Sequence, residues 1–325
     1  MRSKTKCLLD DKTVREIFSS LGIGGVKSIA PLGAGMFNAV YSVSADREYV
    51  LKVAPRQIVP VMTYEKDMLK TELFWYKTIA ENTDISIPKI YGSDFSHKII
   101  DSDFFVMERL EGVHKNSFKQ PGCDSLLETA SIVAKLHNVH GKGYGYVQNK
   151  LYDNWYDALC SMISNMLSDA ERVGKSSKRG AKLLEYAKKH RSVLLTVPCV
   201  AVNYDLWDAN IICKNNENGK PIFSVIDPER SMWGDPIFDF ICLEGFLTSI
   251  ERKEKSVEYH NRISEVKIEI NRELKIRYAF AQGLMALIQE VEKYYRFKPF
   301  DTGWFVDVTS SNVLYRCAFK VLENE

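Results

Sequence analysis

The sequence lacks the patterns that would assign it to a specialised class of protein. Its seven cysteines are odd in number, scattered along the chain and without a C-x-x-C pair, so they indicate neither a zinc site nor a disulfide framework. No apolar stretch approaches the ~20 residues that span a bilayer, and the first residues lack the apolar core of a signal peptide. We therefore expect a cytoplasmic protein with reduced thiols and no membrane partner.

An excess of charge of one sign is also missing. The 44 basic and 42 acidic residues give a net charge of +2, whereas nucleic-acid-binding proteins concentrate basic residues. The 325 residues, 45% of them hydrophobic, have the composition of an ordinary globular protein and can bury a substantial core. The sequence therefore predicts no nucleic-acid partner, and it leaves a monomer and a dimer both open.

Two short segments of the C-terminal half carry a chemical pattern. Asp205 and Asn210 stand in a D-x-x-x-x-N arrangement, and Asp227 ends the apolar run 221–226. A second apolar run, 211–213, follows Asn210, and the turn-forming residues between the two runs predict a β-hairpin. Such a hairpin would bring Asn210 and Asp227 to the same end of paired strands.

These three residues suit phosphoryl transfer. That reaction needs a carboxylate to hold the attacking hydroxyl and oxygen ligands to hold Mg²⁺ on the nucleotide phosphates. Asp205 fits the first role, while Asn210 and Asp227 fit the second, because Mg²⁺ prefers a few hard oxygen donors. An isolated D-x-x-x-x-N pattern would be weak, since Asp and Asn are common in turns.

The N-terminal third offers a place for a nucleotide. Gly33 and Gly35 form a G-x-G turn before an alternating strand, and backbone N–H groups can approach phosphates where side chains are absent. Asn38 stands where a third glycine would be expected, and Asn tolerates positive φ. The run is not a Walker A loop, and no helix follows it as a Rossmann turn requires.

A single lysine lies in the next apolar strand. Lys52 falls within the run 49–53 and needs a partner or an anion if it is buried. The downstream stretch 70–77 predicts a helix that carries Glu72, the preferred partner. Glu65 is the competing partner, but it lies near the loop before that helix.

Periodicity gives a coarse outline of the rest of the chain. It predicts an opening helix over 11–20 capped by Asp10 or Asp11, and a helix capped by Asp153 that ends before Gly174. Beyond residue 112 the patterning is mostly helical. In the C-terminal third the predicted helical face contains Ile263, Val266, Ile270 and Leu274.

Taken in order, these motifs resemble the aminoglycoside phosphotransferase superfamily, small-molecule kinases that share the protein-kinase-like fold. The similarity covers roughly residues 30 to 240. Besides the features above, it includes a hinge-like stretch at 104–112, Ala134-Lys135-Leu136-His137, and Gly234-Asp235-Pro236-Ile237-Phe238-Asp239.

The resemblance implies an α+β, bilobal protein-kinase-like fold with a small antiparallel-sheet N-lobe over 1–112 and a larger, mostly helical C-lobe over 113–325. It implies ATP or GTP with Mg²⁺ as cofactors and a small-molecule acceptor. Asp205 would be the catalytic base, and Asp239 would brace the catalytic loop. The nucleotide-binding residues would be Gly33, Gly35, Asn38, Lys52, Glu72 and the hinge backbone at Glu108 and Leu110, with Asn210 and Asp227 as metal ligands.

One departure from the family pattern and the identity of the acceptor leave alternatives open. Asn203 and Tyr204 replace the family's usual His-Gly before Asp205. The leading hypothesis is an O-phosphotransferase acting on an aminoglycoside-type antibiotic; the alternatives are a metabolic kinase for a sugar, ketosamine or amino alcohol, and a nucleotide-binding pseudokinase scaffold. Candidate contacts for a cationic acceptor are Asp153, Asp157, Glu229, Glu244, Glu251 and Glu258.

Overall fold

A five-stranded antiparallel sheet forms the N-terminal part of the protein. The computed structural model describes residues 5–33, 37–245 and 247–325. The strands are β1 (Ser28–Pro31), β2 (Ala39–Ser44), β3 (Glu48–Val53), β4 (Ile90–Asp94) and β5 (Phe104–Glu108). Their spatial order is β1-β2-β3-β5-β4, which places β3 in the middle of the sheet.

One helix packs on each face of this sheet. Helix α1 (Asp11–Ser20) begins after Asp10, whose carboxylate accepts a hydrogen bond from the Thr13 N–H, and helix α2 is Met68–Asn82. Because successive side chains of a strand point to opposite faces, Leu51 packs with α1 while Val50 packs with α2. Lys52 has the same parity as Val50, so it faces α2.

The C-terminal part is mainly helical, as the spacing of its apolar residues predicts. Its short strands are β6 (Val113–His114), β7 (Val200–Val202), β8 (Ile211–Asn215), β9 (Pro221–Val225) and β10 (Met232–Gly234). They form a three-stranded sheet in the order β6-β8-β9 and the pair β7-β10. The helices are α3 (Ser125–His137), α4 (Trp155–Arg172), α5 (Lys178–Lys189), α6 (Arg191–Leu195), α7 (Glu254–Ile263), α8 (Arg272–Arg296) and α9 (Thr302–Asn324).

Two helix predictions need correction. Asn154 rather than Asp153 caps α4, accepting from the Asp157 N–H. The predicted helical face from Ile263 to Leu274 is wrong, because residues 264–271 separate α7 from α8. The side chain of Asn261 accepts from the Ile268 N–H at 2.9 Å and donates to the Ile268 carbonyl at 2.7 Å, which holds this segment as a loop.

The fold is bilobal, and the predicted hairpin lies where the lobes meet. Ile211 pairs with Val225, and the Ile226 N–H donates to the Asn210 carbonyl at 3.0 Å. The chain leaves the first sheet at Glu108 and joins β8 at Val113; the boundary at residue 112 stays a prediction. No helix in the described ranges is long and apolar enough to cross a membrane.

Candidate active site

Lys52 lies buried between the two lobes and contacts three carboxylates. Its Nζ donates to Glu72 Oε2 on α2 at 2.6 Å and to Glu229 Oε2 at 3.2 Å, and it also contacts Asp227. Glu65, the competing partner, instead pairs with Arg296 at 2.7 Å. The sequence order therefore gave the correct partner for Lys52, but it missed Glu229.

Three carboxylates cluster around Lys52. Oxygen atoms of Glu72, Asp227 and Glu229 lie within 4.8 Å of one another. Burial raises the pKa of Glu72 to about 8 and that of Glu229 to about 7, although Lys52 opposes both rises. Burial alone would lower the pKa of Lys52, but the carboxylates outweigh burial and hold it well above its ordinary value.

This donor set fits a hard divalent cation. Mg²⁺ binds through one or two carboxylates together with phosphate oxygens, and three carboxylates surround a single lysine here. Asp227 is the most open of the three, since 35% of its side chain is exposed. Asn210 lies beside it across the hairpin, because its carbonyl accepts from Ile226.

Asp205 is fixed by hydrogen bonds from its own loop. Trp207 Nε1 donates to Asp205 Oδ1 at 2.5 Å, and Asn210 Nδ2 donates to the Asp205 carbonyl at 2.9 Å and, more weakly, to Oδ2 at 3.4 Å. Burial raises the pKa of Asp205 to about 6; Arg230 opposes this rise and Asp227 adds to it. The carboxylate is therefore ionised at neutral pH, but its pKa is close enough to that pH for it to act as a general base.

The Asn203-Tyr204 pair is held by hydrogen bonds within the loop and to α8. Asn203 Oδ1 accepts from the Asp205 N–H at 3.0 Å, so this side chain braces the backbone of the loop. Tyr204 adopts φ +60°, a conformation that favours glycine. Its ring is fully buried, and its hydroxyl donates to the Ala281 carbonyl at 2.7 Å, which offsets the backbone strain.

Asp239 braces this loop by accepting hydrogen bonds from its backbone, as the family resemblance implies. Its Oδ1 accepts from the Tyr204 N–H at 2.7 Å and its Oδ2 from the Asn203 N–H at 3.1 Å. His137 Nε2 lies 3.1 Å from the same carboxylate, and His137 Nδ1 lies 2.8 Å from His260 Nε2. Both histidines are fully buried, so His137 is a packed structural residue.

The glycine-rich turn differs in part from its prediction. Gly33 is exposed and has open space around its Cα, whereas Gly35 lies outside the described residues. Asn38 does not adopt positive φ, so the reason given for an Asn at this position was wrong. Instead, its side chain is buried and donates to Glu229 Oε2 at 2.9 Å, which joins the turn to the carboxylates around Lys52.

The hinge-like stretch follows β5. The Glu108 N–H already donates to the Lys89 carbonyl at 2.8 Å, so any contact of Glu108 with a base would fall on its carbonyl oxygen. Leu110 lies two residues past the end of β5 and is half-buried.

The sequence interpretation named Glu229 only as a contact for a cationic acceptor, and it missed Trp207 and Arg230 altogether. Trp207 contacts Asp205 as described above, and Arg230 Nε lies 3.8 Å from Asp205 Oδ2. Arg230 also pairs with Glu292 at 3.0 Å. The sequence did contain an indication of their burial. Glu229 and Arg230 are adjacent charged residues that follow a buried strand and a proline, where the chain has little freedom to turn their side chains to solvent.

Residues 28–255 match the model of the phosphotransferase enzyme family. The chain belongs to this family. It is accordingly a kinase-type phosphotransferase that acts on hydroxyl groups. A search of curated protein sequences gives no match.

Solved structures share the fold at low sequence identity. A candidate fructosamine-3-kinase from Thermobifida fusca YX-ER1 is similar at a TM-score of 0.67 and 15% identity, over 96% of this chain and 100% of that chain. A candidate aminoglycoside phosphotransferase from Ralstonia eutropha JMP134 gives 0.61 and 15%, over 96% and 98%. An aminoglycoside phosphotransferase in complex with GDP and kanamycin gives 0.62 and 14%, over 95% and 98%. At these identities the likeness shows the fold alone.

Proposed function

We propose that this phosphotransferase moves the γ-phosphoryl group of ATP, or of GTP, to a hydroxyl of a small molecule with Mg²⁺ as its metal. The observation that carries the proposal is that the cluster of carboxylates around Lys52 lies next to the hydrogen-bonded loop of Asp205. Lys52 contacts Asp227 on one side, and the charge of Asp227 acts on Asp205 on the other. A phosphate chain lying between them would contact a cation at one end and a base at the other.

In this mechanism Asp205 receives the proton of the acceptor hydroxyl as the oxygen attacks phosphorus. Trp207 and Asn210 orient the carboxylate, so that little reorganisation is needed when the acceptor binds. Lys52, held by Glu72, binds phosphate oxygens. Asp227 and the side chain of Asn210 would hold Mg²⁺, which supplies positive charge to the phosphates when bound.

The Asn203-Tyr204 replacement does not favour a pseudokinase. Asn203 and Asp239 still brace the loop through three hydrogen bonds from its backbone N–H groups, and the hydroxyl of Tyr204 is anchored on α8. A scaffold would have no chemical need to keep a braced Asp205 with a raised pKa beside a buried lysine. The acceptor, aminoglycoside or metabolite, is a separate question.

The proposal is tested by the release of ADP from ATP and Mg²⁺ by the purified protein in the presence of hydroxylated small molecules. Acceptor-dependent turnover should be lost in Asp227→Ala, because the phosphate charge would have no fixed metal bridge. The matched control is Asp301→Ala, since Asp301 lies at the start of α9, remote from the two networks. Turnover that survives Asp227→Ala would contradict the proposed metal site.

A further inference from the structure

His260 is a fully buried histidine to which the proposed mechanism gives no role. It lies on α7, and its Nε2 is 2.8 Å from Nδ1 of His137, the last residue of α3. The other ring nitrogen of His137 lies 3.1 Å from Asp239, whose carboxylate accepts from two backbone N–H groups of the loop that carries Asp205. A continuous line of hydrogen bonds therefore joins α7 to the catalytic loop.

The contacts of the two histidines fix where their hydrogens lie. Asp239 accepts hydrogen bonds on both oxygens, as a carboxylate does, so Nε2 of His137 carries a hydrogen on that side. At 2.8 Å, His137 Nδ1 and His260 Nε2 share one further hydrogen. Burial, with His137 as the second cause, lowers the pKa of His260 to about 3, so His260 stays neutral. Removing the His260 nitrogen would take away the partner of a buried His137 nitrogen.

The helix that carries His260 is fixed at both ends to the elements that hold this line of hydrogen bonds. Before α7, Lys253 Nζ donates to the Phe240 carbonyl at 2.9 Å, in the segment that carries the bracing carboxylate. After α7, the Glu265 N–H donates at 2.8 Å to the side chain of Asn138, which directly follows α3. Because both ends of α7 are held, the helix has little freedom to shift and restore the contact when His260 is changed.

Packing alone would be a simpler role for a buried histidine. The His260 ring lies edge-on to Phe240 with centroids 5.3 Å apart, as an apolar ring could. His190 is such a case, because it lies edge-on to Phe280 and its Nε2 is buried without a hydrogen-bond partner among the described residues. His260 differs, since its Nε2 meets a second histidine that contacts the carboxylate bracing the catalytic loop. Burying a nitrogen is costly unless it is bonded, so a hydrogen-bonding role explains His260 better than packing.

Resting on the proposed function, in which Asp205 is the base, we infer that His260 is a positioning residue for phosphoryl transfer. It fixes the ring of His137, the ring aligns the carboxylate of Asp239, and that carboxylate holds the backbone that aims Asp205. The effect of His260 on the rate passes through these contacts. A displacement of about 1 Å at a reacting group can slow a reaction about 100-fold.

Two substitutions at position 260 separate the hydrogen bond from packing. His260→Phe keeps a ring against Phe240 and removes both nitrogens, whereas His260→Gln removes the ring and keeps an amide that can donate or accept near the Nε2 position. The assay uses the full chain with ATP, Mg²⁺ and an acceptor that the wild type phosphorylates. We expect kcat to fall about 10–100-fold in His260→Phe and less than about threefold in His260→Gln. The KM values for ATP and for the acceptor should move less than about threefold in both variants, because neither binding site is changed.

The matched control is His190→Phe, which replaces another buried histidine that lies outside this line of hydrogen bonds and should leave kcat unchanged. Imidazole ¹⁵N–¹H spectra give an independent readout. The wild type should show a slowly exchanging N–H hydrogen shared by His137 and His260, and His260→Phe should lose that signal. Denaturant unfolding of each variant confirms that the assay is run on folded protein.

A loss of kcat in His260→Gln with wild-type kcat in His260→Phe would overturn the inference, because packing would then be the role of His260. Equal losses in the two variants would overturn it as well, and so would a wild-type spectrum without the shared hydrogen, a result that depends on no variant. Asp205→Asn in the same assay separates the two proposals. If Asp205→Asn loses kcat while His260→Phe keeps it, only the inference fails; if Asp205→Asn keeps wild-type kcat, the base in the proposed function is wrong.

Discussion

The guanidinium group of Arg230 lies against the carboxylate of Asp205, with Arg230 Nε 3.8 Å from Asp205 Oδ2. Glu292 holds Arg230 from the other side at 3.0 Å. Burial raises the pKa of Asp205 and Arg230 opposes that rise. Arg230 therefore sets the lower end of the pH range in which Asp205 can accept a proton.

The first prediction is a pH dependence. A base must be ionised to act, and the pKa of Asp205 is about 6, so kcat/KM for the acceptor should fall as the pH drops through about 6. Arg230→Met removes the group that lowers this pKa, so the acidic limb should move to higher pH. The measurement is kcat/KM for wild type and variant between pH 5 and 9.

Arg262→Met is the matched control, because Arg262 forms an exposed pair with Glu258 far from the loop. Its acidic limb should coincide with that of the wild type. A wild-type limb near pH 4, the ordinary range of an exposed Asp, would contradict the environment described for Asp205.

The second prediction concerns Lys52→Met. Removing the cation leaves Glu72, Asp227 and Glu229 facing one another, and an uncompensated buried charge costs about 3–5 kcal/mol of unfolding free energy. Since the pKa values of Glu72 and Glu229 are raised to about 8 and 7, these groups can take up protons at lower pH. The loss should therefore be largest above pH 8 and shrink as the pH falls below 7.

Denaturant unfolding at pH 6 and pH 9 measures this loss, and added Mg²⁺ should reduce it at pH 9. Lys214→Met, which breaks only an exposed pair with Glu111, should change stability by less than about 0.5 kcal/mol. Equal losses of stability at both pH values would contradict the prediction, because they would show that Glu72 and Glu229 take up no protons between pH 9 and pH 6. The KM for ATP should rise in Lys52→Met by more than the KM for the acceptor.

The third prediction weighs backbone strain against packing at Tyr204. Tyr204→Gly relieves a positive φ, which is worth about 1 kcal/mol, but it empties a fully buried site, which costs about 3–5 kcal/mol for a large aromatic side chain. The variant should therefore be less stable by about 2–4 kcal/mol. Tyr204→Phe keeps the ring and should lose only about 1–3 kcal/mol with the bond to Ala281.

Thermal or denaturant unfolding of the two Tyr204 variants gives both values. If Tyr204→Gly were as stable as the wild type, the tyrosine would be an adaptation to something other than packing beneath the loop.

The fourth prediction is that Asn203→His leaves activity within about tenfold. Asn203 contributes an acceptor for the Asp205 N–H, and an imidazole nitrogen can take the same role. The kcat of the variant with ATP measures this. A loss as large as that of an Asp205 variant would mean that Asn203 takes part in the chemistry.

Much of this site could be predicted from sequence, because the informative residues lie where apolar strands end. Asp227 follows the buried run of β9, and Lys52 interrupts β3, so their surroundings limit them to a few roles. The hairpin that joins Asn210 to Asp227 followed from alternation and turn residues alone. The pairing of Lys52 with Glu72 followed from the position of Glu72 on a helix.

The parts of the site and fold that could not be predicted from sequence depend on contacts between distant segments of the chain. Arg230 meets Glu292 across 62 residues, and Asn38 meets Glu229 across 191; no local pattern reports such pairs. The loop at 264–271 escaped prediction for a similar reason, since its N–H groups donate to the side chains of Asn261 and Asn138, and these hydrogen bonds override a helical apolar pattern.

The most direct test of the proposed function compares kcat of the wild type and Asp205→Asn with ATP, Mg²⁺ and an acceptor that the wild type phosphorylates. Asn keeps the shape of the side chain but cannot accept the proton, so kcat should fall by about 10²–10⁴ while ATP binding, measured by calorimetry, stays within twofold. An Asp205→Asn variant that retains wild-type kcat would contradict the assignment of Asp205 as the base.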